Sequence, residues 1–235
     1  KNILHTKLEI ENKIIIKISR KGKMLDFIFN DGSHLLSHLG MTGAWLIGKN
    51  LTQDKHSHLI LTGEKSTIIY QDYRRFGHLY YYNAEQAEKR LATLGLDLTD
   101  PQFNLEYLIK SLKRYPERVL KVALLDQKFF AGTGNYIANE ICAHALILPT
   151  RKIKNIKASE FVKILTAIQT VIHAALATGG ATFGGGYQDT KGEKGKAASD
   201  FIVFYQKICQ RCLKTPVEKI FLAQRGTYYC SKCQK

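Results

Sequence analysis

Four cysteines near the end of the chain have the spacing that points most directly to chemistry. They stand as Cys209-x2-Cys212, seventeen residues, then Cys230-x2-Cys233. Thiolates two residues apart can bind one metal from a tight turn, and two such turns complete an all-sulfur tetrahedron. One Zn2+ is expected rather than an iron–sulfur centre, because nothing nearby implies electron transfer. A closed four-cysteine site leaves no position for substrate, so this zinc is structural. Between the pairs, "EKIFLAQRGTYYC" suggests a hairpin with Gln224, Arg225 and Gly226 near its tip. Arg225 is then either a solvated turn residue or a set of fixed donors for phosphate or base.

The other candidates lie further upstream. "LLDQKFFAGTGNYIANE" places Gly132-Thr133-Gly134-Asn135 between two helical patterns. Asn135 can cap the second helix, whose N-terminus would cradle phosphate. Lys121, on the preceding helix, reads as a phosphate ligand or as a solvated lysine. "SRKGKML" brings Arg20, Lys21 and Lys23 to the entry of an apolar strand. "HLGMTG" sets Met41 in a glycine-bounded turn, and "DYRRFG" offers Arg74, Arg75 and Phe76. Such a methionine or phenylalanine is either core or a wedge for a base stack. His38, His56 and His58 lack a convincing third ligand and read as structural, and Cys142 as buried packing.

Charge narrows the partners. Lys and Arg number 35 against 20 Asp and Glu, a net charge of +15 in 235 residues. That balance attracts polyanions: DNA, RNA or an acidic membrane surface. Tight cysteine pairs suit a reducing compartment better than disulfides. No apolar run reads as long enough to cross a bilayer, and no signal-like segment opens the chain. A soluble intracellular protein is expected, with no sign of an oligomer. The opening "KNILHTKL" lacks an initiator Met and reads as a chain whose start has been lost.

These residues need elements to position them. Residues 8–82 read as short strands separated by turns, with a hairpin at Asn30-Asp31-Gly32, favouring an antiparallel sandwich or barrel. "NAEQAEKRLATLG" reads as a short helix closed by Gly95, and a linker is placed near residues 95–103. "NLEYLIKSLKR", "ERVLKVALLDQKF", "NYIANEICAHALI" and "ASEFVKILTAIQTVIHAAL" carry helical spacing and make a second, helical domain. The Gly- and Lys-rich stretch 178–200 reads as a mobile loop, either linker or lid. "FIVFYQ" reads as a strand leading into the first cysteine pair.

In their joint order, "RKGKML", "HLGMTG", "KHSHLIL", "DYRRFG", "LLDQKFFAGTGNYIANE", "GEKG" and "RGTYYCSKCQ" resemble the formamidopyrimidine-DNA glycosylases of the helix–two-turn–helix superfamily. The resemblance implies an α+β protein. Its parts would be an antiparallel β-sandwich over 1–94, a helix–two-turn–helix domain over 95–177, a lesion lid within 178–200 and a zinc-finger hairpin over 201–235. It implies excision of oxidised purines from damaged double-stranded DNA, then strand cleavage by β,δ-elimination, by a monomer in the bacterial cytoplasm, at the nucleoid.

By the same resemblance, Met41, Arg74 and Phe76 fill the space of an everted base. Lys23, Lys121, Asn135 and Arg225 hold phosphates around it, Lys23 also supporting catalysis, and residues 184–198 cover the base. The family's N-terminal proline nucleophile and adjacent glutamate have no counterpart here. The expectation is therefore a chain lacking its catalytic N-terminal segment and inactive as it stands. Tyr73, where the family commonly has proline, and the lid sequence depart from the pattern. Open alternatives are a glycosylase of the endonuclease VIII class acting on oxidised pyrimidines, a non-catalytic damage-binding protein, and a zinc-containing RNA-binding protein.

Overall fold

Alternating apolar residues build a β-sandwich in the first part of the chain. The computed structural model describes residues 3–49, 51–181, 189–191, 193, 195–196 and 200–235. Two compact units emerge, one of Lys1–Thr93 with Thr178–Ala198, the other of Leu94–Ala177 with Ser199–Lys235.

In the first unit, β1 (Ile15–Lys21), β2 (Met24–Phe29), β3 (His34–His38) and β7 (His78–Tyr82) form an antiparallel sheet in that order. A second sheet has the order β4 (Gly43–Gly48), β6 (Thr67–Asp72), β5 (Ser57–Thr62). Phe27, Phe29 and Leu35 from the first sheet meet Trp45 and Tyr70 from the second in one core. Trp45 Nε1 donates to Ser37 Oγ at 2.9 Å, so the buried indole N–H is satisfied across the sandwich. Helix α1 (Ala84–Ala92) starts in a capping box, Asn83 and Gln86 each accepting from the other's backbone N–H. It closes at Thr93 rather than Gly95.

The second unit is helical: α2 (Leu105–Lys113), α3 (Leu120–Leu124), α4 (Asn135–His144) and α5 (Ala158–Ala177). Leu108, Leu112, Leu124, Ile141, Ile164 and Ile168 lie in its core. A two-residue parallel pair, β8 (Leu96–Asp97) with β9 (Phe130–Ala131), ties the entry of the unit to the α3–α4 loop. The zinc-hairpin strands are β10 (Glu218–Leu222) and β11 (Arg225–Tyr229).

Four expectations need correction. The α3 helix has five residues instead of spanning "ERVLKVALLDQKF"; its continuation is a turn in which Asp126 accepts from Arg118 Nη1 and Lys128 N. "FIVFYQ" is not a strand, because the N–H groups of Ile202, Val203 and Phe204 go to the Glu140 carboxylate instead of a ladder. The hairpin turns at Ala223-Gln224, both at positive φ, leaving Arg225 as the first residue of β11; this two-residue geometry matches the strand twist. Finally, α5 has 20 residues and is, by length and composition, long and apolar enough to cross a membrane. Its Phe161, Ile164, Ala167, Ile168 and Val171 are instead packed into the helical core.

The expected lid, 184–198, falls largely outside the described residues.

Candidate nucleic-acid interface

In the sandwich unit the site is organised by a buried carboxylate. Asp72, fully buried at the end of β6, accepts from Thr42 Oγ1 at 2.5 Å, Arg74 N at 3.1 Å and Gly77 N at 2.7 Å. Burial would raise its pKa, but the hydrogen bonds from Thr42, Gly77, Arg74 and Arg75 outweigh that effect and hold it below the usual aspartate value. The same bonds fix two loops, one carrying Met41 and the other Arg74 and Phe76. Gly40 lets them approach: it sits at φ +66, and a Cβ there would lie 2.4 Å from the Phe76 carbonyl carbon.

The three expected void-filling side chains are thus brought together. Met41 is 54% exposed, and Arg74 Nη1 lies 3.8 Å from its sulfur. The Arg74 guanidinium stands 4.7 Å from the Phe76 ring centroid. Lys23 is exposed in the two-residue turn between β1 and β2. His38, opposite Met24 in the next strand, accepts from Gly40 N at its Nδ1. Burial, then the charges of Lys23, His78 and Arg90, push the His38 pKa down, favouring the neutral ring. Tyr73 is exposed and packs on His56 at 4.6 Å, while His58 bonds the Asp72 carbonyl.

In the helical unit, the expected residues converge on the hairpin. Lys121 is fully buried, and its Nζ donates to Gly226 O at 3.1 Å and Thr227 Oγ1 at 2.7 Å. Burial is the main cause that lowers its pKa to about 8, with the nearby Arg225 charge acting in the same direction and Cys142 opposing. Asn135 is not the cap of α4; that position is Gly134. The Asn135 amide donates to the same Gly226 carbonyl at 3.1 Å, and its buried Oδ1 has no hydrogen-bond partner among the described residues. Arg225 is exposed beside the turn.

Two residues missed in the sequence complete this clamp. Asn139 accepts from Tyr228 N at 2.7 Å and donates to the Asn135 carbonyl. Glu140, 2% exposed, receives the three N–H groups that lead to Tyr205, an exposed aromatic at φ 59. Burial raises the Glu140 pKa against the opposing pull of those bonds. A signal existed: Asn135 and Asn139 fall one turn apart, with Glu140 beside Asn139, in a largely apolar helix where buried polar groups require partners.

The cysteines meet the geometric test for a metal. The four Sγ atoms of Cys209, Cys212, Cys230 and Cys233 lie within 4.8 Å of one another, the only such cluster found among the described residues. Cys212 and Cys230 Sγ are 4.0 Å apart, close to the ~3.8 Å edge of a zinc–thiolate tetrahedron with 2.3 Å bonds. Thr215 and the adjacent backbone N–H groups lower the Cys212 pKa to about 5, whereas burial raises those of Cys209 and Cys233. Zn2+ fits these residues and would supply cross-linking of the two turns. Cys142 is buried elsewhere.

The comparisons cover both units. A family model for the formamidopyrimidine-DNA glycosylase N-terminal domain matches residues 3–79, and one for the formamidopyrimidine-DNA glycosylase H2TH domain matches 94–185. The formamidopyrimidine-DNA glycosylase of Solibacter usitatus is 35% identical over 227 residues, 94% of this chain and 81% of that protein. The crystal structure of MutM (Fpg) from Thermus thermophilus superposes with a TM-score of 0.86 at 31% identity, covering 95% of this chain and 84% of that one. A complex between Lactococcus lactis Fpg and an abasic site containing DNA gives a TM-score of 0.86 at 28% identity, with 97% and 84% covered. The match over residues 3–79 corrects the expectation of a missing catalytic segment: the N-terminal catalytic domain is present. The expected inactivity rested on that absence and falls with it.

Proposed function

The chain belongs to the formamidopyrimidine-DNA glycosylase family, and on that premise we propose that it is a base-excision repair glycosylase and abasic-site lyase acting on oxidised purines. The observation that carries the reading is the shared Asp72 anchorage of Met41, Arg74 and Phe76 into one set, with Met41 and Arg74 exposed and Phe76 half-buried. A base within a duplex is inaccessible to chemistry at its sugar, so it must leave the stack. A thioether, a guanidinium and an aromatic edge are suited to occupying the vacated space and supporting the orphaned partner. Lys23, Asn135 and Arg225 supply phosphate contacts, and Lys121 acts by holding the hairpin that presents Arg225. The reaction class is amine attack at C1′ that breaks the glycosidic bond and releases the protonated base, opening of the deoxyribose ring to an iminium ion, then β- and δ-elimination that release the 3′- and 5′-phosphates.

The partner is damaged double-stranded DNA, bound by a monomer in the bacterial cytoplasm at the nucleoid; the +15 charge supports the polyanion. A cleavage panel tests the lesion class. Faster cleavage opposite cytosine at 8-oxoguanine than at thymine glycol supports the reading, and the reverse order assigns the protein to oxidised pyrimidines.

A further inference from the structure

Phe221 leaves β10 with 70% of its surface exposed. It stands opposite Gly226, so no cross-strand side chain covers its flank. Lys219, two residues earlier and on the same face, holds its ammonium 5.5 Å from the Phe221 ring centroid. One pair further along, Leu222 and Arg225 close the ribbon and project from the other face. The hairpin therefore carries a guanidinium on one face at its tip and an aromatic–cation pair on the other.

This ribbon is held in place before any ligand arrives. The Gly226 carbonyl receives Lys121 and Asn135, Tyr228 N is held by Asn139, and the four-thiolate cluster closes the base. A side chain on such a support loses little freedom on binding. A DNA backbone alternates anionic phosphates with apolar deoxyribose edges, so a charged grip at Arg225 places a sugar or base edge within a residue's reach of the ribbon.

We propose that Phe221 is a DNA-contacting residue of the hairpin, its ring packing on deoxyribose or base edges from the face opposite Arg225. The proposal rests on the DNA reading above. The contact is non-ionic, so its contribution is independent of salt, unlike that of a phosphate contact.

The test is the affinity of the zinc-loaded protein for a duplex containing a tetrahydrofuran abasic analogue, measured across a salt series. Phe221→Ala should bind about five-fold more weakly at every salt concentration, with an unchanged salt slope. Phe221→Trp should retain affinity, and its emission should shift on adding the duplex beyond any change from buried Trp45. Equal affinity of Phe221→Ala and wild type, or an added tryptophan blind to DNA, overturns the proposal. Loss of binding by wild type as well would overturn the DNA reading itself, and this proposal with it.

Discussion

Lys121 and Thr227, 106 residues apart in sequence, share a 2.7 Å hydrogen bond at a place where both side chains are fully buried. The same ammonium reaches the Gly226 carbonyl, next to Arg225. The lysine thus works inside the protein as an anchor for the zinc hairpin.

Replacing it exposes that function. Lys121→Met removes the donor to Thr227 Oγ1, whose own bond to the Arg225 carbonyl remains, and one of the two donors to the Gly226 carbonyl, a cost of ~1–3 kcal/mol. Zinc content should stay near one per chain, while hydrogen exchange at the hairpin accelerates and abasic-DNA affinity falls about ten-fold. Unaltered exchange at Thr227 and Tyr228 would refute the anchor.

The depressed Lys121 pKa sets a pH window. Its folded value of about 8 lies below the ordinary 10.5, so between them the unfolded chain holds more protons. Stability from this group therefore rises with pH across that window and is flat below it. Subtracting the melting curve of Lys121→Met from that of wild type should reveal a rising difference from pH 8 upward. A flat difference would show that the lysine is not buried as an ammonium.

Asp72 plays the corresponding part within the sandwich unit. Asp72→Asn keeps the volume but places an amide donor against one of the N–H groups the carboxylate serves. A loss of about 2–3 kcal/mol in stability is expected, from hydrogen bonds to a charged group. Acid should act similarly on wild type: the Asp72 pKa is lowered, so its contribution is complete above the ordinary aspartate value and disappears as pH falls through the folded one. Chemical denaturation of both proteins from neutral pH downward measures this, and parallel curves would contradict it.

Metal removal should be selective. Chelation releases the cross-link between the two cysteine turns, and the module's folding energy goes with it. Helical circular dichroism should largely persist while DNA binding is lost, and Arg225→Ala should mimic the binding loss in part, reducing the salt slope by about one. Full DNA affinity in the metal-free protein would remove the hairpin from the interface.

The sequence made these sites legible to different degrees, for physical reasons. Cysteine spacing encodes the metal geometry locally, so Cys209, Cys212, Cys230 and Cys233 were readable without a fold. Met41, Arg74 and Phe76 were readable as motifs, but nothing local to Asp72 shows that it joins their loops, because its donor Thr42 is 30 residues away. Lys121 looked solvent-facing because its partners are 105 and 106 residues away. The 201–206 segment looked like a strand because a run of apolar residues says nothing of a distant carboxylate that captures three backbone N–H groups. The expected loss of the catalytic segment came from finding no counterpart to the family's proline and glutamate, whereas the N-terminal domain match covers residues 3–79.

Borohydride trapping on a duplex containing 8-oxoguanine opposite cytosine tests the central claim most directly. A glycosylase that proceeds through an iminium ion is predicted to yield a reduced covalent protein–DNA adduct, at a rate that falls when Arg74 or Arg225 is replaced by alanine. Tight binding of the lesion duplex with no trapped adduct and no strand cleavage would contradict the enzyme assignment.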